Sequence, residues 1–219
     1  MIFEKNDFIL FTGDSVTDAD RKHPIGEGLW QGVGNGFVRY IDSLLNAFYP
    51  ELNLRISNTG CSGNTTRHLR ERWERDMLNL RPDYLCVCIG INDVWRQFDE
   101  PSLTYDHVSP EEYKENLDYM LESAKKVVKK DIIVMSPYYM EPLKKDMMRA
   151  RMDEYGAICK ELAEKHGTKY VDLQKVFDNY LKVRHSSYIT WDRIHPSGTG
   201  CVLIAEAFFK ALGISLKLK

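Results

Sequence analysis

The sequence predicts a single α/β domain over residues 1–219, built on a parallel five-stranded sheet with helices on both faces. Three observations carry this. Short continuous apolar runs alternate along the chain with longer segments of helical periodicity. The runs lack the polar-apolar alternation of a half-solvated strand, which is the pattern of strands covered on both faces. And 219 residues, 43% of them hydrophobic, suffice for one sizeable core, with no repeat, linker or low-complexity tract to divide it.

The predicted strands are Phe8–Thr12, Leu54–Asn58, Tyr84–Ile89, Ile132–Ser136 and Lys169–Asp172. Amphipathic segments lie between and after them, at about residues 36–48, 65–80, 110–129, 145–166 and 198–212. Some boundaries carry their own chemistry. Ser109-Pro110-Glu111-Glu112 offers an N-cap serine, a proline at the first helical position and a capping-box glutamate. Gly167 and Gly213 follow helices as terminating glycines do. The pairs Lys125-Lys126 and Lys129-Lys130 read as cations at a helix C-terminus, where the helix dipole favours them. Cys86 and Cys88 alternate along an apolar run and would share one strand face as buried thiols; Trp73, within a helical segment, reads as core.

Composition excludes several functions. Thirty basic and 32 acidic residues nearly cancel, so no nucleic acid and no anionic membrane is expected as partner. The first residues are charged, the apolar stretch after them is too short for a signal peptide, and no segment spans a membrane. With five cysteines in no metal-like spacing, this places the chain in a reducing cytoplasm. No H-E-x-x-H or C-x-x-C is present, so no metal and no cofactor are expected. Gly32-Val33-Gly34-Asn35-Gly36 lacks both the spacing and the preceding strand of a dinucleotide loop. Nothing sets two carboxylates at the separation a glycosidase requires.

Four polar segments remain: Gly13-Asp14-Ser15, Asn58-Thr59-Gly60, Gly90-Ile91-Asn92-Asp93, and Asp192-Arg193-Ile194-His195. Ser15 follows the first predicted strand, Gly60 the second and Asn92 the third, while Asp192 and His195 precede the final helix. In open parallel sheets, ligands bind at the carboxyl ends of the strands, so these segments can converge. Serine is a weak nucleophile until a base takes its proton, and the imidazole needs an orienting acid. Read singly, each segment is ordinary: a turn, a capped loop, a satisfied loop histidine. Asp14 reads as a turn-fixing residue bonded to nearby backbone. The other five histidines (His23, His68, His107, His166 and His185) lack a comparable acidic partner and a comparable motif block, and read as structural or surface residues.

Taken together and in order, the four segments resemble the blocks of the SGNH hydrolases, also called the GDSL family. The wider runs Gly13–Asp18, Ile89–Gln97 and Trp191–Pro196 are similar to the acetylxylan esterases that act on xylo-oligosaccharides. The resemblance implies a flavodoxin-like three-layer sandwich, Ser15 as nucleophile, His195 as base and Asp192 as its orienting acid. It further implies an oxyanion hole made of the Ser15 and Gly60 backbone N–H groups and the Asn92 amide. Gly60 would keep a side chain away from the substrate oxygen, and Asn92 would supply an uncharged donor. Trp30, Trp95 and Trp191 are candidate sugar platforms, with Tyr105, Tyr138 and Tyr139 as further cleft candidates. The implied reaction removes O-acetyl groups from a small acetylated carbohydrate; self-association into a homo-oligomer is left open. A general short-chain esterase, thioesterase or lysophospholipase is the alternative of the same chemistry. A non-catalytic sugar-binding protein is the alternative of another class.

Overall fold

The computed structural model describes residues 2–216. Its sheet has six strands: β1 (Phe8–Gly13), β2 (Gly26–Glu27), β3 (Arg55–Asn58), β4 (Tyr84–Cys88), β5 (Asp131–Met135) and β6 (Lys169–Val171). They lie in the order β2-β3-β1-β4-β5-β6. All neighbours are parallel except β2, which pairs antiparallel with β3 through Gly26↔Asn58 and Glu27↔Ser57. The five expected strands are therefore present, and a sixth turns the sheet mixed. Two residues with no apolar run leave no strand signature. β2 is held by its backbone pairing and by an ion pair from Arg55 to Glu27 at 2.5 Å.

Alternation along each central strand divides the core into two layers. Ile9 and Phe11 of β1, Cys86 and Cys88 of β4, and Ile133 and Met135 of β5 face one side. There they meet α2 (Phe37–Phe48), α8 (Leu173–Leu181) and α9 (Gly198–Ala211). Phe8, Leu10, Leu85, Val87, Ile132 and Val134 face the other side. That layer holds α3 (Thr66–Glu71), α4 (Trp73–Asp76), α5 (Ile91–Asp99), α6 (Pro110–Ala124) and α7 (Met147–His166). Trp73 is core, as expected, its Nε1 donating to Ser123 Oγ at 3.0 Å.

The helix ends follow their chemistry. Ser109 Oγ accepts from Glu112 N at 3.2 Å, with Pro110 at the first position of α6. Gly167 ends α7 at φ +66°. Two lysines depart from expectation. α6 stops at Ala124, so Lys129 and Lys130 lie beyond the helix. They reach carboxylates at the sheet's amino edge instead: Lys129 meets Asp83 at 3.0 Å, and Lys130 meets Asp7 at 2.7 Å and Glu4 at 2.5 Å.

Candidate active site

β1 runs into a short helix, α1 (Ser15–Asp18). Gly13 is dictated by crowding, because a Cβ there would stand 2.0 Å from Cys88 O on β4. Asp14 caps α1, its Oδ1 accepting from Val16 N at 3.0 Å. Ser15 is thus the first residue of a helix, and its N–H belongs to the first-turn donors that have no intrahelical acceptor.

His195 and Asp192 share one loop before α9. An isolated bridge between Thr190 and Pro196 closes it, and Ser197 N donates to Ile189 O at 2.6 Å. Asp192 Oδ1 accepts from Ile194 N at 2.9 Å and His195 N at 2.8 Å, while Oδ2 meets His195 Nδ1 at 2.5 Å. Burial works to raise the Asp192 pKa, but the His195 side chain and these two backbone donors hold it below the usual carboxylate value. Asp192 is thereby an acceptor, so Nδ1 carries the proton and Nε2 is free to accept. Nε2 lies 2.8 Å from Ser15 Oγ across 180 residues of sequence.

The two remaining segments arrive on β3 and β4. Asn58 is fully buried; its Nδ2 donates to Thr17 O at 2.5 Å and Val33 O at 2.9 Å. Its Oδ1 accepts from Gly60 N at 2.8 Å. The expected oxyanion role of the Gly60 N–H is therefore corrected: that group is buried, committed to Asn58, and does not border the cavity at Ser15. Gly60 is required by packing against backbone: a Cβ would stand 2.5 Å from Asp18 N and 2.9 Å from Thr17 C. Asn92 sits in the first turn of α5, behind Gly90 at φ +132°. Its Nδ2 donates one hydrogen to Asn64 O at 2.9 Å, leaving a second, and Arg96 Nη2 approaches its Oδ1 at 3.4 Å.

The aromatic candidates separate. Trp191 stacks on His195 at 5.6 Å and 11°, while Trp95 meets the same ring edge-on at 6.1 Å and 65°. Trp191 also borders a cavity of about 330 Å³ with Ser15, Asp20, Asn35, Ser62 and His195. Trp30 is 86% exposed and borders a different depression, beside Arg39, Asp42 and Ser43, so it does not line the serine cavity. Tyr138 is buried against Phe177 and is core, not cleft; Tyr139 is half-buried, and Tyr105 lies on the surface. One histidine expectation also changes. His166 does have an acid, Asp118, at 2.6 Å, brought by α6 from 48 residues away.

Three polar residues around the site belong to none of the four motif segments: Arg21, Asn64 and Arg72. Arg21 is buried, and its Nε donates to Gly60 O at 2.6 Å. Asn64 and Arg72 stand behind Asn92 and Gly60. Arg72 shares one predicted helical segment with Arg67, Arg70 and Arg75, and no sequence signal singles it out.

A doubly wound sheet bearing a Ser–His–Asp relay at its carboxyl edge defines a serine hydrolase. The chain belongs to the GDSL-like lipase/acylhydrolase family, whose profile matches residues 11–202, and it is a carboxylic ester hydrolase. An acetylxylan esterase from Geobacillus stearothermophilus is 44% identical over 205 residues, covering 94% of this chain and 93% of that protein. The crystal structure of Axe2, an acetylxylan esterase of that organism, superposes with a TM-score of 0.97 at 42% identity, covering 100% of this chain and 99% of that one. LAE5, an α/β hydrolase from the metagenome of Lake Arreo in Spain, superposes at 0.94 with 46% identity, covering 97% and 98%. Axe2 forms with alanine in place of a serine, an aspartate or a histidine are described as catalytic mutants. Among the described residues, no helix is long and apolar enough to cross a membrane.

Proposed function

We propose that this chain removes O-acetyl groups from acetylated xylo-oligosaccharides through an acyl-Ser15 intermediate. The observation that carries the reading is the unbroken path from Ser15 Oγ to His195 Nε2 at 2.8 Å and from Nδ1 to Asp192 at 2.5 Å. His195 takes the serine proton as Oγ attacks the ester carbonyl, then returns it to the departing sugar hydroxyl. Asp192 holds the ring in the tautomer that leaves Nε2 able to accept. Charge developing on the carbonyl oxygen is met by the Ser15 N–H and by the free Asn92 hydrogen. Water then enters by the reverse sequence and releases acetate.

The cavity favours a small acyl group on a sugar. At about 330 Å³ it is small, and Asp20, Asn35 and Ser62 border it together with Val16, Ala19, Pro196 and Cys201. Trp191 and Trp95 are the sugar platforms in this reading, and Trp30 is not one. A cytoplasmic location, in which the enzyme acts on imported oligosaccharides during xylan breakdown, completes the proposal; cell fractionation tests it.

The deciding experiment measures acetate release from acetylated xylobiose, acetylated glucose and a long-chain ester, by wild type and Ser15→Ala. Fast release from xylobiose that vanishes in Ser15→Ala is the expected result. Ser15-dependent preference for another ester keeps the mechanism and discards the substrate. Undiminished cleavage by Ser15→Ala removes the mechanism itself.

A further inference from the structure

The chain leaves the serine turn in a backbone state that glycine would adopt most easily. Ala19 and Asp20 follow α1 in the left-handed region, at φ +42° and +62°. Aspartate tolerates this conformation and alanine adopts it at a cost, so neighbouring contacts must hold the turn. Asn35 N does so from the facing loop, donating to Ala19 O at 2.6 Å. As a result Asp20, Asn35 and Ser62, from three separate loops, border the cavity that holds Ser15 and His195.

The hydrogen-bonding role of each is set by what stands behind it. The Ser62 hydroxyl and amide N–H both donate to Asp18 Oδ2, at 2.7 and 2.9 Å, so Ser62 Oγ can only accept from the cavity. Arg39 Nη1 donates to Asn35 Oδ1 at 3.1 Å, which leaves the Nδ2 hydrogens of Asn35 as donors. Among the described residues, no ion pair or hydrogen bond engages the Asp20 carboxylate, which offers two acceptor oxygens. Two accepting residues and one donor therefore stand beside the nucleophile. A hydroxyl both donates and accepts, so a sugar with free hydroxyls can meet all three. A plain alkyl ester meets none. A sugar esterified at every hydroxyl brings only ether and carbonyl oxygens, with no proton to place against the carboxylate.

We propose that Asp20, with Asn35 and Ser62, reads the free hydroxyls of the sugar whose acetyl group is attacked, so that the enzyme selects partly acetylated sugars over fully acetylated ones. This assignment rests on the reading of Ser15 as nucleophile on an acetylated sugar, and adds that the leaving alcohol is recognised through its unesterified neighbours.

The experiment compares three esters: a methyl xyloside with one acetyl group at its best-cleaved position, the fully acetylated methyl xyloside, and 4-nitrophenyl acetate, which has no hydroxyl. Wild type, Ser15→Ala, Asp20→Gly, Asp20→Asn, Asn35→Ala and Ser62→Ala are measured. Each preparation is read as the ratio of its kcat/KM on the monoacetate to that on nitrophenyl acetate. The active fraction cancels in this ratio, so partial misfolding does not imitate the effect. Wild type favours the monoacetate over the full acetate at least about tenfold. Asp20→Gly, which removes the carboxylate and suits the left-handed turn, lowers the ratio about 10- to 100-fold, the range of hydrogen bonds to a charged group. Asp20→Asn keeps one acceptor oxygen and recovers part of the ratio. Asn35→Ala and Ser62→Ala lower it less, about 2- to 10-fold each, as neutral hydrogen bonds do. If Asp20→Gly folds too poorly to assay, Asp20→Asn and Asn35→Ala decide the matter by the same ratio. Wild type that takes the full acetate as readily as the monoacetate overturns the assignment while leaving Ser15 in place. So does a ratio unmoved in the Asp20 variants, even where both rates fall together, because Asp20 then only shapes the turn. Activity that survives in Ser15→Ala overturns the underlying reading, and the role of Asp20 with it.

Discussion

Two neighbouring carboxyl groups near the serine turn are buried, and both resist ionisation. Burial pushes Asp14 up to about 7, with the charge of Asp93 adding to the effect and its bond from Val16 and the nearby Arg72 opposing it. Burial likewise pushes Asp93 up to about 6, against the hydrogen bonds from Thr66. In the unfolded chain both would titrate near 4. Between about pH 4 and 7 the folded state therefore holds protons that the unfolded state has released. Stability then falls as pH rises through that window, by up to about 1.4 kcal/mol per pH unit for each group. Asp14→Asn removes one such group. Its stability relative to wild type should climb from pH 4 to pH 7 and level off above, as read from urea midpoints at each pH; a pH-independent difference would contradict the assignment. Gly60→Ala should damage both folding and turnover, because the added carbon meets the α1 backbone. The motifs pointed to Ser15, His195 and Asp192, which the fold brings together, while Gly60, also picked from its motif, has its N–H turned to buried Asn58 instead. Arg72 was not legible, since Arg67, Arg70, Arg72 and Arg75 share one helical stretch and only the fold shows which of them turns inward.

Strands buried on both faces wrote themselves into the sequence as apolar runs, and the five so marked lie within one or two residues of their positions. Helices were legible where a cap or an apolar stripe marked them. α5 was not, because its first turn is also a motif segment: Ile91, Asn92, Asp93 and Val94 are all buried, so polar and apolar residues point inward together. α8 follows β6 with only Asp172 between, and its cap through Lys175 N was masked by reading Asp172 as strand. β2 depends on pairing, which no local pattern encodes. Where the cap was read correctly, it can be tested by itself. Ser109→Ala should cost about 1 kcal/mol in stability through the lost bond to Glu112 N, with acetate release per folded molecule unchanged. A fall in kcat from this substitution would mean that α6 communicates with the site.

Both core layers hang on one sheet, with adjacent residues of β1, β4 and β5 facing opposite sides. We propose on this basis that the chain is one cooperative domain. Phe208 lies in the layer of α2, α8 and α9, 5.7 Å from Phe11 of β1. Phe208→Ala should destabilise by about 3–5 kcal/mol. Trp73 sits in the opposite layer. Unfolding followed by tryptophan fluorescence and by far-ultraviolet circular dichroism should show the same single transition, shifted equally. Two separated transitions would divide the molecule.

The loop closed by Thr190 and Pro196 carries acid and base three residues apart, and the nucleophile arrives from the far end of the chain. Any slippage between this loop and the sheet leaves the Asp192–His195 contact intact and opens one gap, from Oγ to Nε2. The proton path thus has a single clearance rather than a series of adjustable joints. Hydrogen bonding fades steeply once such a gap widens. On gradual warming, acylation should falter while the helical signal is still whole, so the enzyme falls silent before it comes apart.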